Sequence, residues 1–117
     1  MKPKTYFIDI DGTILWLMPD FQETIKAEYI KPLPQAVQKI SKWHCRGHKI
    51  VLVTARPESL RRVTEQQLYN AGIVYDHLLM GLTGGVRVLV NDYEPGEQTR
   101  AVAFNVIRNE DGLRKVD

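Results

Sequence analysis

The sequence predicts a three-layer α/β fold built on a parallel sheet, and three observations carry that prediction. Short apolar runs alternate with segments whose apolar residues recur at helical spacing, the pattern of consecutive βαβ units. A length of 117 residues fits one domain, able to bury about 65% of its unfolded surface without disulfides or structural metals. Hydrophobic content of 44% and charged content of 26% are ordinary for a soluble globular protein, so no special class is indicated.

The elements follow in order. The first strand is expected over residues 5–10. Residues 14–33 hold no sustained period and carry Pro19 and Pro32, so they read as a turn and small flap over the end of that strand. Pro34 suits the opening of a helix. That helix runs to about residue 46, with Val37, Ile40 and either Trp43 or His44 on one face, and Gly47 stops it. The second strand spans residues 49–53. A second helix covers about 57–70, with Leu60, Val63 or Thr64, Gln67 and Leu68 at helical spacing before Ala71-Gly72 ends it. Further short strands are expected near residues 77–80, 86–90 and 100–104. The tail at 109–117 is polar and expected to be loosely held.

Composition narrows the setting. A formal charge of +2 is too small to argue for a nucleic-acid or membrane partner. The single cysteine has no internal disulfide partner, which fits a reducing cytoplasm. No run approaches the ~18 apolar residues of a membrane span. The Lys2-Pro3-Lys4 start lacks the apolar stretch of a leader, because Asp9 and Asp11 interrupt it.

The chemistry concentrates in Tyr6-Phe7-Ile8-Asp9-Ile10-Asp11-Gly12-Thr13. Residues i and i+2 of a strand point to one side, so an extended backbone aims Asp9 and Asp11 into one small volume. Two carboxylates so close resist joint ionisation unless a cation lies between them or one takes a proton. The plainer reading is a strand ending in an Asx-turn. An Asp-x-Asp-Gly-Thr run after a buried strand favours the catalytic one. Thr54 and Asp92 also stand at carboxyl ends of expected strands. Ligands in such sheets bind at that end, so Asp9, Thr54 and Asp92 are expected to share a site.

Phe7-Ile8-Asp9-Ile10-Asp11-Gly12-Thr13 resembles the first motif of the haloacid dehalogenase (HAD) superfamily of aspartate-nucleophile phosphohydrolases. Lys49-Ile50-Val51-Leu52-Val53-Thr54 resembles its second motif, and Val86-Arg87-Val88-Leu89-Val90-Asn91-Asp92 its fourth. The resemblance implies a Rossmann-like, HAD-like single domain over residues 1–117 with no substantial cap. It implies Asp9 as nucleophile, Asp11 as general acid and base, and Thr54 with Gly12 and Thr13 on the phosphoryl group. It further implies a Mg²⁺ held by Asp9, the Asp11 carbonyl and Asp92. The third motif departs from the family: Leu82 stands where a Lys is expected. Arg56, at the correct end of the sheet, is the preferred phosphate contact. Arg87 is the alternative, although one extended strand would put it ~16 Å from Asp92.

The implied activity is a Mg²⁺-dependent phosphomonoesterase on a small phosphorylated substrate such as a sugar phosphate. The middle and end of the chain are similar to small bacterial members suspected of sugar-phosphate work. Asp11 argues against dehalogenation, and the lack of a cap against phosphomutase chemistry. A capless member of this size is expected to be a homo-oligomer whose neighbour shapes the pocket. Two other readings stay open. One is a polynucleotide 3′-phosphatase, which the low net charge does not favour. The other is a non-catalytic binder of phosphoryl ligands, suggested by the missing Lys. His44-Cys45-Arg46-Gly47-His48 lacks a fourth zinc ligand. Gly81-Leu82-Thr83-Gly84-Gly85 lacks the Lys of a P-loop.

Overall fold

A parallel sheet orders the chain, and the structure, a computed structural model, describes residues 2–117. Strands β1 (Thr5–Asp9), β2 (Lys49–Val53) and β3 (His77–Leu79) pair in the order β1-β2-β3. Helix α1 (Phe21–Lys26) lies in the flap, α2 (Ala36–Cys45) joins β1 to β2, and α3 (Arg61–Ala71) joins β2 to β3 behind a 3₁₀ turn at Glu58–Leu60. No helix among the described residues is long and apolar enough to cross a membrane.

Burial explains the order. Ile50, Val51 and Leu52 are all buried, the uninterrupted apolar run that a central parallel strand requires. β1 is different: Ile8 is buried while Phe7, on the opposite face, is 55% exposed, and one edge of β1 pairs with no strand among the described residues. In α2, Ala36, Ile40 and Trp43 recur at i, i+4 and i+7 and face the sheet. Trp43 takes the inward position and stacks on Tyr6 with centroids 3.9 Å apart, while His44 turns out toward Asp76.

Two expectations need correction. The tail is not loose. Leu113 and Val116, three residues apart in a turn, are buried in the core, and Lys39 Nζ donates to the Arg114 and Val116 carbonyls. Asn109 N donates to Gly12 O at 2.9 Å, and its side chain both donates to and accepts from the Leu17 backbone. Nor do residues 86–90 and 100–104 form strands: every residue from 81 to 105 is exposed. Six residues separate Leu79 from Val86, fewer than the dozen or so that a parallel crossover needs.

Candidate active site

The turn after β1 is tightly tied. Thr13, Ile14 and Leu15 all donate backbone N–H groups to Ile10 O, and Gly12 N donates to Leu15 O at 2.8 Å. Gly12 has φ +82°, and a Cβ there would lie 2.8 Å from Arg108 Cγ, so the turn admits no larger residue without strain. The result points Thr13 back at the strand end: its hydroxyl donates to Asp9 Oδ2 at 2.9 Å.

The parallel register sets Asp9 opposite Val53, so Thr54 follows beside the end of β1. Thr54 is 2% exposed, and its hydroxyl accepts from Arg56 N at 3.1 Å, leaving the hydroxyl proton free to donate. Burial, the largest influence, pushes the Asp9 carboxyl above its ordinary value, and Asp11 adds to this. The Thr13 hydroxyl and the Arg87 guanidinium pull the other way. Arg87 Nη2 stands 3.5 Å from Asp9 Oδ1.

Arg56, the phosphate contact preferred from the sequence, is engaged within the protein in this arrangement. Its side chain is buried, and Nε and Nη2 form a two-pronged contact with Asp11 Oδ2 and Oδ1 at 2.9 and 2.8 Å. Nη1 donates to Thr64 Oγ1 at 2.9 Å and Gln67 Oε1 at 2.7 Å. Four of its five N–H bonds are therefore engaged within the protein. The Phe21 ring of α1 covers the guanidinium with its centroid 5.7 Å away. Gln67 Nε2 donates onward to the Thr24 and Ala27 carbonyls, and Met18 N donates to Thr24 Oγ1. One buried polar network thus links the flap, α3 and Asp11.

Thr64 and Gln67 join the candidate site through Arg56, and the sequence did not single them out for it. The signal was present: two polar residues lie three apart on the face of α3 that also carries Leu68 and Ala71. Polar groups buried on a core face need partners, and Arg56 is the partner. Asp92 is not brought to Asp9 in this chain. It is 81% exposed in its side chain and pairs with Arg100 at 3.1 Å. No group of three or more His, Cys, Asp or Glu that could hold a metal occurs among the described residues.

The donors present nevertheless suit a hard cation. They are oxygens alone, and Asp9 Oδ1 already draws a positive group in Arg87. Asp9 and the Asp11 carbonyl would supply two positions; a third acid is needed to complete the set.

Comparison with known proteins places this geometry. A solved structure of a target protein from Vibrio cholerae superposes with a TM-score of 0.54 at 18% identity, covering 80% of this chain and 85% of that one. At that identity the likeness speaks for the fold alone. No curated protein matches the chain. Residues 1–93 match the family described as HAD superfamily, subfamily IIIB (acid phosphatase). That span takes in Asp9, Asp11, Thr54 and Asp92, and the chain belongs to this family.

Proposed function

We propose that the protein is a Mg²⁺-dependent phosphomonoesterase that works through an aspartyl-phosphate on Asp9, with a small phosphorylated metabolite such as a sugar phosphate as substrate. The observation that carries this reading is the end of β1: a Thr13-oriented Asp9, with Asp11 two residues on and Thr54 across the register.

Asp9 Oδ1, the oxygen not taken by Thr13, attacks phosphorus and the ester P–O bond breaks. Asp11, ionised against Arg56 at rest, takes a proton from solvent on the oxygen that leaves the Arg56 fork and gives it to the departing alkoxide. It then takes a proton from the water that attacks phosphorus, and the P–O bond to Asp9 breaks. Arg56 holds both Asp11 oxygens in the resting arrangement, so one must leave the fork when substrate enters. Thr54 donates its hydroxyl proton to the phosphoryl group, and the Gly12-Thr13 turn borders the same space. Asp9, the Asp11 carbonyl and Asp92 would hold Mg²⁺, which supplies charge neutralisation at the phosphoryl oxygens. Arg56 acts by positioning Asp11. Arg87 serves as the cation beside Asp9 whenever Asp92 is absent from it.

Phosphate release from a panel of sugar phosphates, nucleotides and 3′-phosphorylated oligonucleotides, with Mg²⁺ and with chelator, tests the reading. Asp9→Asn should abolish release while leaving the circular-dichroism spectrum unchanged. Asp11→Asn should slow both half-reactions, the general acid–base share being about 10²–10⁴-fold. Full activity of purified Asp9→Asn would exclude the covalent route. Release confined to oligonucleotides would move the assignment to a 3′-phosphatase. Binding without release across the panel would make the protein a phosphoryl-ligand binder.

A further inference from the structure

Residues 82–105 form an arm with unsatisfied demands at every level. Val86, Val88 and Val90 are 91, 80 and 87% exposed, and Leu89 between them is 58% exposed. The run Val86-Arg87-Val88-Leu89-Val90 has the composition of a strand buried on both faces, like β2. Val102 and Phe104 lie exposed farther along the same arm. The chain measures 49 × 29 × 24 Å with a radius of gyration of 14.7 Å, against about 13 Å for a compact domain of this length. The edge of β1 away from β2 pairs with no strand among the described residues, and Phe7 of β1 is exposed.

The arm and the edge suit each other, but one chain cannot join them in parallel. Gly81 N donates to Arg56 O and Leu82 N to Thr54 O, which pins the start of the arm at the carboxyl end of β2. A parallel strand beyond β1 must begin two strand spacings away, ~10 Å, and about 17 Å back along the sheet, so ~20 Å in all. Thr83, Gly84 and Gly85 are the residues left to span it, and four Cα steps reach only ~14 Å. An antiparallel approach is open to the chain, and Arg87 beside Asp9 lies on such a path. It leaves Asp92, five residues farther, ~16 Å away at full extension.

We infer that two copies of this chain exchange their arms, each laying residues 86–90 in parallel along the β1 edge of the other and setting its Asp92 beside the other's Asp9. The inference rests on the proposed role of Asp92 at the Asp9 site. A two-fold arrangement satisfies both copies at once, since each offers one arm and one edge. It closes an edge that otherwise invites uncontrolled association. It also removes Arg87 from Asp9 as Asp92 arrives. The arm leaves at Leu82 and returns at Val106, which packs on the core, with Asn109 bonded to Gly12. Both of its roots therefore lie at the catalytic end of the sheet. Each finished site draws Asp9, Asp11 and Thr54 from one chain and Asp92 from the other.

Three measurements decide the matter. Light scattering at assay concentration should give twice the 13.5 kDa chain mass; a monomer overturns the exchange. Asp9→Asn and Asp92→Asn, each inactive alone, should recover about a quarter of wild-type phosphate release when refolded together, because half of the mixed dimers' sites are intact. No recovery from a mixture of two inactive variants overturns it. The third measurement needs no activity. With Asp9 beside Asp92, Phe7 falls beside Val90, so Phe7→Cys with Val90→Cys in a Cys45→Ser background should oxidise to a covalent dimer. A disulfide within one chain, or none, overturns the exchange. Should the wild-type protein release no phosphate, the proposed function fails, and this cross-link still reports on the exchange.

Discussion

Arg56→Ala tests how the site is held together, because it removes one side chain from four hydrogen bonds at once. The Asp11 carboxylate, 17% exposed, would lose its only guanidinium partner. Breaking a buried ion pair from one side costs about 3–5 kcal/mol. The Gln67 Oε1 acceptor, in a residue 1% exposed, would be stranded as well, for about 1–3 kcal/mol. Thr64 escapes much of this, since its hydroxyl can rotate. Water entering the space vacated by the guanidinium offsets part of the total, so about 4 kcal/mol is the expected loss. A chain of this length has roughly 6–18 kcal/mol of stability in all. With a urea slope of about 2 kcal/mol/M, the unfolding midpoint should fall by ~2 M. Arg56→Lys should recover only part of the loss, because an ammonium cannot reproduce a planar fork.

The same argument makes a sharper claim about coupling. Asp11→Asn should be far less damaging in an Arg56→Ala background than in the wild type, with an interaction of at least about 1 kcal/mol. A midpoint for Arg56→Ala within a few tenths molar of wild type would refute the reasoning outright. So would additivity of the two substitutions, since it would mean that the fork contributes nothing to holding Asp11.

Thr13→Val should raise the Asp9 carboxyl still further above 3.8 in metal-free protein, because it removes a hydrogen bond that lowers it; carboxyl NMR titration would show this, and a fall would contradict the site electrostatics. Asp76 is held below 3.8, first by the Ile50 N–H donated to it at 2.8 Å and then by Lys49, His44 and His77. A depressed carboxyl stabilises the fold above its unfolded value and loses that contribution as pH falls through the folded one. Asp76→Asn should therefore be less stable than wild type near neutrality, with the gap in urea midpoint closing below pH 3.8; a gap that widens in acid would reverse the sign. Gly112 has φ +57°, and a Cβ there would collide with the Pro34 backbone. Gly112→Ala should therefore cost about 1–3 kcal/mol, read as a lower thermal midpoint, and an unchanged midpoint would show that the C-terminal turn is not docked.

What could be read from the sequence was what depends on neighbours along the chain. Ile50-Val51-Leu52 is apolar on both faces and became the central strand. The i, i+4, i+7 spacing of Ala36, Ile40 and Trp43 faced α2 inward, and strand direction placed Asp9 and Thr54 at one end of the sheet. Arg56 could not be placed in this way. Two residues past Thr54, at the correct end of the sheet, it read as a phosphate contact. Its destination depends on Asp11, which lies 45 positions earlier, and on Thr64 and Gln67, which only a folded α3 brings round. The tail misled for a related reason: its polar residues outnumber Leu113 and Val116, yet those two decide where it packs.

The arm shows a different limit. The apolar run around Val88 states that the segment must be buried; it does not state in which molecule. Within one chain, the ties of Gly81 and Leu82 to Arg56 and Thr54 fix the root of the arm where a parallel return to β1 is out of reach. In the proposed exchange, the same short connection that defeats the strand in isolation selects for a partner. A single chain offers Asp9 an arginine and an open edge, whereas two chains with exchanged arms offer it a third acid and a neighbouring surface over the site. On that reasoning, catalysis should depend on protein concentration wherever the dimer dissociates. Phosphate release per mole of chain should fall on dilution in step with the loss of the dimer by light scattering. Specific activity that stays constant while the dimer disappears would show that one chain holds a complete site.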